Sequence, residues 1–201
     1  VNNLLNETLN SDGIIIDADN VTLDLGGFTL DGNKGVVNSD DGIYVLGDQD
    51  GIHIFNGVVT NWNGDGINAL NADTSLFDNL VVSFNGGDGL VTDFGCVISN
   101  VVAQGNGIDG IEGDDGTVIT DCSAMGNGDN GIQTSEGCVV SNCGSYNNCD
   151  STQWTAASTT GTNCSDFVIN TSPTSGWGSD GIDVGAGSVV VNCSATDNCV
   201  F

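Results

Sequence analysis

In a chain of 201 residues, 27 acidic side chains face a single lysine (Lys34) and no arginine, for a formal net charge of −26. Phosphate recognition needs clustered cations, so nucleic acids are excluded as expected partners, and no apolar run is long enough for membrane insertion. With 31 glycines and one proline, the turns must be built on Gly, Asn and Asp, and nothing in the composition divides the chain, which reads as one domain over 1–201.

In chain order, residues 1–11 are an N-terminal lead-in, and the absence of a leader before Val1 reads as a processed or excised segment. The tripeptide Asp-Gly-Ile then recurs, beginning at Asp12, Asp41, Asp65, Asp88 (with Leu), Asp109, Asn130 (as Asn-Gly-Ile) and Asp180. The interval settles to 21 residues from Asp88 to Asp109 to Asn130, and a second marker follows at Asn79, Asn100, Asp121, Asn142 and Asn192. Six residues after that marker stand Asn85, Asn106, Asn127, Asn148 and Asn198. Such a period is a solenoid signature, and its units are short apolar strands with no amphipathic helix. Within Cys96–Ala103, residues Cys96, Ile98, Val101 and Ala103 are expected inward, with the turn at Asn100 switching the alternation. Val97, Val118, Val139 and Val189 then form an outward apolar column suited to lateral contact. Residues one period apart should stack about 4.8 Å apart, so seven coils make a rod of roughly 34 Å. The Asn column reads as a ladder of amides bonded along the axis. The Asp of each Asp-Gly-Ile reads as a turn residue beside a left-handed glycine.

The rhythm breaks once, between Asn130 and Asp180, where a Ser/Thr-rich insertion at 149–178 carries Trp154 and Trp177. Insertions on one edge of a solenoid often form its binding surface, and Trp62 falls on the corresponding edge of an earlier coil. Trp62, Trp154 and Trp177 are therefore the candidate carbohydrate contacts, with packing of the loop onto the rod as the alternative. After the last marker, Asn192, the chain stops at Phe201 where another coil is due, so the last coil is expected to continue in a longer rod or to meet another subunit.

The opening Gly13–Gly32 stretch, followed by these coils, resembles the right-handed β-helix-repeat proteins of the pectate-lyase-like superfamily. The resemblance implies an all-β, right-handed parallel β-helix of about seven coils with one long loop insertion. It also implies a family that spans polysaccharide lyases, glycoside hydrolases, epimerases, tailspikes and noncatalytic surface proteins. Family lyases use carboxylate-held Ca²⁺ with a cationic base, usually Arg, and this chain has none; the Asp/His/Arg-x-Lys segments of polygalacturonases and the Asp-Pro-His motif of epimerases are also missing. His53, the only histidine, is expected to face solvent.

Hydrolysis of a neutral sugar needs only two carboxylates. Glu112, Asp114 and Asp183 are the candidates, with Glu112 and Asp183 in one column about 9.6 Å apart across Gln133. Asp93 and Asp114 should be stacked neighbours whose repulsion a Ca²⁺ ion would relieve, although no cofactor is required by the sequence. A solvated acidic face is the plainer expectation for all of them. Eight cysteines and five N-x-S/T sequons (at Asn6, Asn20, Asn163, Asn170 and Asn192) fit a secreted or cell-surface protein. Cys143 can meet Cys193 and Cys149 can meet Cys199; alternatively Cys149 and Cys164 staple the insertion, or Cys122, Cys143 and Cys193 are small buried hydrophobes. The expected role is structural, adhesive or glycan-binding rather than enzymatic, with end-to-end or lateral self-association into a filament or spike.

Overall fold

The computed structural model describes residues 4–5, 12–33, 40–148, 168–169 and 181–196. Its strands pair in parallel, each with the strand one period later, in two sheets. The short sheet stacks Ile14–Ile16, Ile43–Val45, Ile67–Ala69, Leu90–Thr92, Ile111–Gly113, Ile132–Thr134 and Ile182–Val184, one per coil, which makes the seven coils expected. The long sheet stacks Thr22–Asp24 and Thr29–Asp31, His53–Thr60, Leu76–Ser83 and Val97–Gln104, and continues as paired three-residue strands through Val189–Val191 and Ser194–Thr196. The chain is therefore a parallel β-helix. Strand Leu4–Leu5 of the lead-in pairs with Thr29–Asp31. The insertion is not only loop, because Val168–Ile169 adds a strand to the short sheet beside Ile182–Val184.

The registers carry the column arithmetic residue by residue: Val97 sits on Val118, Val118 on Val139, and Val139 on Val189. Cys96, Ile98, Val101 and Ala103 are buried, as are Ile119, Val140, Cys122, Cys143 and Ala124; Val190, Cys193 and Ala195 of the last described coil pack partly buried against them. In the outward valine column Val97 and Val189 are exposed and Val118 and Val139 half-buried. No helix among the described residues is long and apolar enough to cross a membrane.

Backbone conformation divides the turns into two kinds. The marker residues Asn79, Asn100, Asp121, Asn142 and Asn192 all take left-handed φ between 52° and 55°, which short polar side chains tolerate. The glycines of Asp-Gly-Ile do not, contrary to the sequence expectation. They are glycines because successive coils approach there: a Cβ at Gly110 would lie 2.5 Å from the Gly131 carbonyl oxygen and 2.6 Å from Asn127 Nδ2.

The Asn ladder forms as expected. Asn85 Nδ2 donates to Asn106 Oδ1 (3.0 Å), Asn106 Nδ2 to Asn127 Oδ1 (3.0 Å) and Asn127 Nδ2 to Asn148 Oδ1 (2.8 Å), while each backbone amide donates to the same oxygen. Trp62 occupies the place before Asn85 in this interior column, its amide donating to Asn85 Oδ1. It is wholly buried, and a Cβ at Gly13 or Gly32 would strike its ring. Trp62 is thus a core filler and not the exposed sugar contact expected from the sequence.

The five described cysteines are all free thiols, and no disulfide forms among them. Cys122, Cys143 and Cys193 stack along the core, with the Cys143 amide 3.4 Å from Cys193 Sγ. The hydrogen bond between Cys122 and Cys143, with burial, pushes the Cys122 thiol up, and the same bond lowers Cys143 against the opposing effect of its burial. Lys34, Trp154, Trp177, Cys149, Cys164, Cys199 and Asn198 lie outside the described residues.

Candidate functional site

The turn that holds the Asn ladder inside carries a second ladder, of Asp-Gly-Ile carboxylates, on its way into the short sheet. Each Oδ1 accepts the backbone amide of the equivalent residue one coil on: Asp12 from Asp41 (2.9 Å), Asp41 from Asp65 (2.7 Å), Asp65 from Asp88 (2.8 Å), Asp88 from Asp109 (2.7 Å) and Asp109 from Asn130 (2.6 Å). The turn role expected for these aspartates is real, and it is a bond between coils.

Stacked carboxylates with one oxygen thus committed must settle the other. After Asp65 the residue three positions on is Asn68, whose Nδ2 donates to Asp65 Oδ2 (3.0 Å). At Asn130 the pairing is between amides, with Nδ2 donating to Gln133 Oε1 (2.6 Å). Between these two coils the answering position holds Val91 after Asp88 and a third carboxylate, Glu112, after Asp109. Asp88, Asp109 and Glu112 each present an oxygen within 4.8 Å of the others, and among the described residues no other trio of His, Cys, Asp or Glu does so. Gln133 Nε2 reaches Glu112 Oε1 only at 3.5 Å.

Burial governs the protonation of the group. Asp109, 4% exposed, is pushed up to about 8 by loss of water and then by the charges of Asp88 and Asp129. Asp88 is raised to about 6 by burial, with Glu112 and Asp129 adding to it, and Asp41 farther down the ladder also rises to about 6. Glu112 is raised by burial and by Asp65 and Asp114. No cation stands among the groups that cause these shifts. The donor set is all oxygen and part-buried, the chemistry that a hard divalent ion such as Ca²⁺ prefers and that water would complete.

The residues chosen from the sequence fall differently. Asp93 and Asp114 are stacked as expected, since Thr92 pairs with Gly113. Each, however, caps the next amide of its own turn, Asp93 Oδ1 taking Phe94 N and Asp114 Oδ1 taking Asp115 N (both 2.8 Å). Among the described residues neither joins a group of three carboxylates; the group of three is Asp88, Asp109 and Glu112. Glu112 and Asp183 do share a column across Gln133. Asp183 is raised by burial, and its Oδ1 is buried with no hydrogen-bond partner among the described residues. His53 opens a strand of the long sheet rather than joining the cluster. It stacks on Phe55 (centroids 4.4 Å, 22°) with Nε2 buried, so it does not simply face solvent.

In the sequence Asp88 and Asp109 read only as turn residues. Their signal was the Asp-x-x-Glu spacing of Asp109 and Glu112, set one period above Asp88, where neighbouring coils have Asp-x-x-Asn and Asn-x-x-Gln.

No curated protein sequence matches the chain. A solved structure, "Crystal structure of pectate lyase Pel9A", is similar at 16% identity and TM-score 0.49, over 78% of this chain and 51% of that one. The chain thus spans about half the length of that protein. The family model described as "Right handed beta helix region" matches residues 2–139, well over half of the sequence, and the chain belongs to that family.

Proposed function

We propose that this β-helix is a secreted or surface-displayed glycan-binding rod in which Asp88, Asp109 and Glu112 hold a divalent cation, Ca²⁺ by its donors. The ion would let a surface of such negative charge engage a polysaccharide, including an acidic one that it would otherwise repel. The observation that carries this reading is the convergence of three carboxylate oxygens within 4.8 Å, at the coils where the answering amide of the ladder is replaced. Trp154 and Trp177 remain proposed glycan contacts on the insertion, and the outward Val97–Val189 column a proposed self-association face, to be checked by light scattering against Val118→Lys.

Calorimetric titration with Ca²⁺ tests the ion site. One ion per chain is expected, lost in the double variant Asp88→Asn/Glu112→Gln, in which each new side chain keeps its shape. No heat of binding, or equal binding by the double variant, would remove the site. Affinity electrophoresis through polygalacturonate and through a neutral β-glucan, each with Ca²⁺ or with chelator, tests the glycan reading.

A second reading, hydrolysis of a neutral polysaccharide through paired Asp/Glu, draws on the same cluster. Asp109, raised to about 8, is a proton donor at neutral pH beside Asp88, raised to about 6. Acid and base roles separated in this way are what glycoside cleavage uses. No reducing ends released from a panel of neutral glucans, or full activity in Asp109→Asn, would dismiss it.

A further inference from the structure

Along the turn edge one column of residues is held at left-handed φ: Asn61 (60°), Phe84 (55°), Gly105 (67°), Gly126 (66°) and Asn147 (52°). Four of the five are Asn or Gly, the types that adopt this conformation at least cost. Phe84 is the exception. A bulky residue kept in a strained backbone well points to a function that retains it.

The Phe84 ring packs on backbone and stays half exposed. Its equivalent one coil on is Gly105, where a Cβ would come within 2.9 Å of two ring carbons, so the ring lies across bare backbone. It remains 50% exposed. Tyr146, 48% exposed, stands on the same edge next to Asn147, three coil steps or about 14 Å along the axis. Between them Gln104 supplies an amide, and four residues after Phe84 comes Asp88 of the carboxylate cluster.

We infer that Phe84 is a stacking platform for a pyranose ring of a linear glycan, with Tyr146 as a second contact farther along the same chain. This rests on the glycan-binding reading above and assigns the residues that would grip the sugar. Two flat rings with the Gln104 amide between them suit a ligand whose faces are apolar and whose edges are hydroxyls. A peptide partner would want a continuous apolar groove, and here Gly105, Gly126 and Gln104 interrupt the apolar side chains of Phe84, Met125 and Tyr146.

The test is affinity electrophoresis of the full chain, with Ca²⁺, through polygalacturonate and through a neutral β-glucan, alongside thermal melts. Phe84→Gly should melt higher, because it relieves the backbone, yet lose about tenfold in retardation, a plausible worth of one stacked ring. Phe84→Tyr should keep its retardation. Thr74→Gly, which relieves another left-handed residue (φ 51°) in the same coil, should melt higher and bind as before. Equal retardation of Phe84→Gly, or a lower melting temperature showing that the ring serves packing, would overturn the platform alone. A wild-type chain retarded by neither polymer would overturn both the platform and the glycan reading.

Discussion

One turn of this rod holds two ladders, and they solve the same stacking problem in opposite ways. The Asn ladder is self-complementary: every amide is both donor and acceptor, so Asn85, Asn106, Asn127 and Asn148 repeat without accumulating charge, all of them buried. The Asp ladder can only accept. Each carboxylate takes one backbone amide from the next coil, and the like charges beside it raise its neighbours. A neutral ladder can lengthen with the rod, whereas a charged one must find a proton, an amide or a cation within a few coils.

Breaking the neutral ladder should cost most. Asn106→Leu strands the buried backbone amide of Asn85, leaves Asn85 Nδ2 only its long bond to the Val59 carbonyl, and takes a side-chain donor from the oxygens of Asn127 and Val82. At about 1–3 kcal/mol for each buried polar group left unpaired, a loss of about 4 kcal/mol is expected in urea unfolding. The acidic ladder should instead respond to pH. Asp41, Asp88 and Asp109 have folded values of about 6, 6 and 8, all above the ordinary aspartate value of 3.8, so the folded chain binds protons more tightly than the unfolded one. This contribution is fully present below about pH 4 and is lost as pH rises through 6 to 8. The free energy of unfolding should fall by about 3 kcal/mol from pH 5 to pH 8, a discounted sum because the groups are coupled. A flat profile would mean that the carboxylates are already neutralised by something else.

Glycine substitutions separate the two kinds of turn. Gly110→Ala, pressing a Cβ onto a carbonyl and the Asn127 amide, should cost about 2–3 kcal/mol. Gly116→Ala, at φ 71°, should cost about 1 kcal/mol through backbone strain alone. Sequence could not distinguish these positions, because Asp-Gly appears in both and glycine serves either open φ or close approach. Column position was legible: Trp62 stands 23 residues before Asn85, the same interval that separates Asp65 from Asp88, and this already put it in the buried Asn column. Its size suggested a sugar platform instead, and only the space left by Gly13 and Gly32 shows how an indole fits inside. The acidic trio stayed hidden for a related reason. Asp88 and Asp109 belong to one column and Glu112 to another, and a reading by columns does not reveal that residues three apart around a turn converge.

The smallest effect bears most directly on what the charged ladder needs. Glu112→Gln would give Asp109 the amide that Asn68 gives Asp65, turning the one repulsive rung into a paired one. At pH 7 and without divalent ions it should stabilise the fold by about 1 kcal/mol, the worth of one added hydrogen bond and one carboxylate fewer in the cluster. With Ca²⁺ present the order should reverse, because wild type gains RT ln(1 + [L]/Kd) from the ion and the variant does not. The comparison of two melting curves, with Ca²⁺ and with chelator, therefore separates two accounts of the cluster. If Glu112→Gln is more stable under both conditions, protonation alone settles the carboxylates and no cation belongs there. If the curves cross, the gap in the amide pattern is a binding site that the rod keeps at the expense of its own stability.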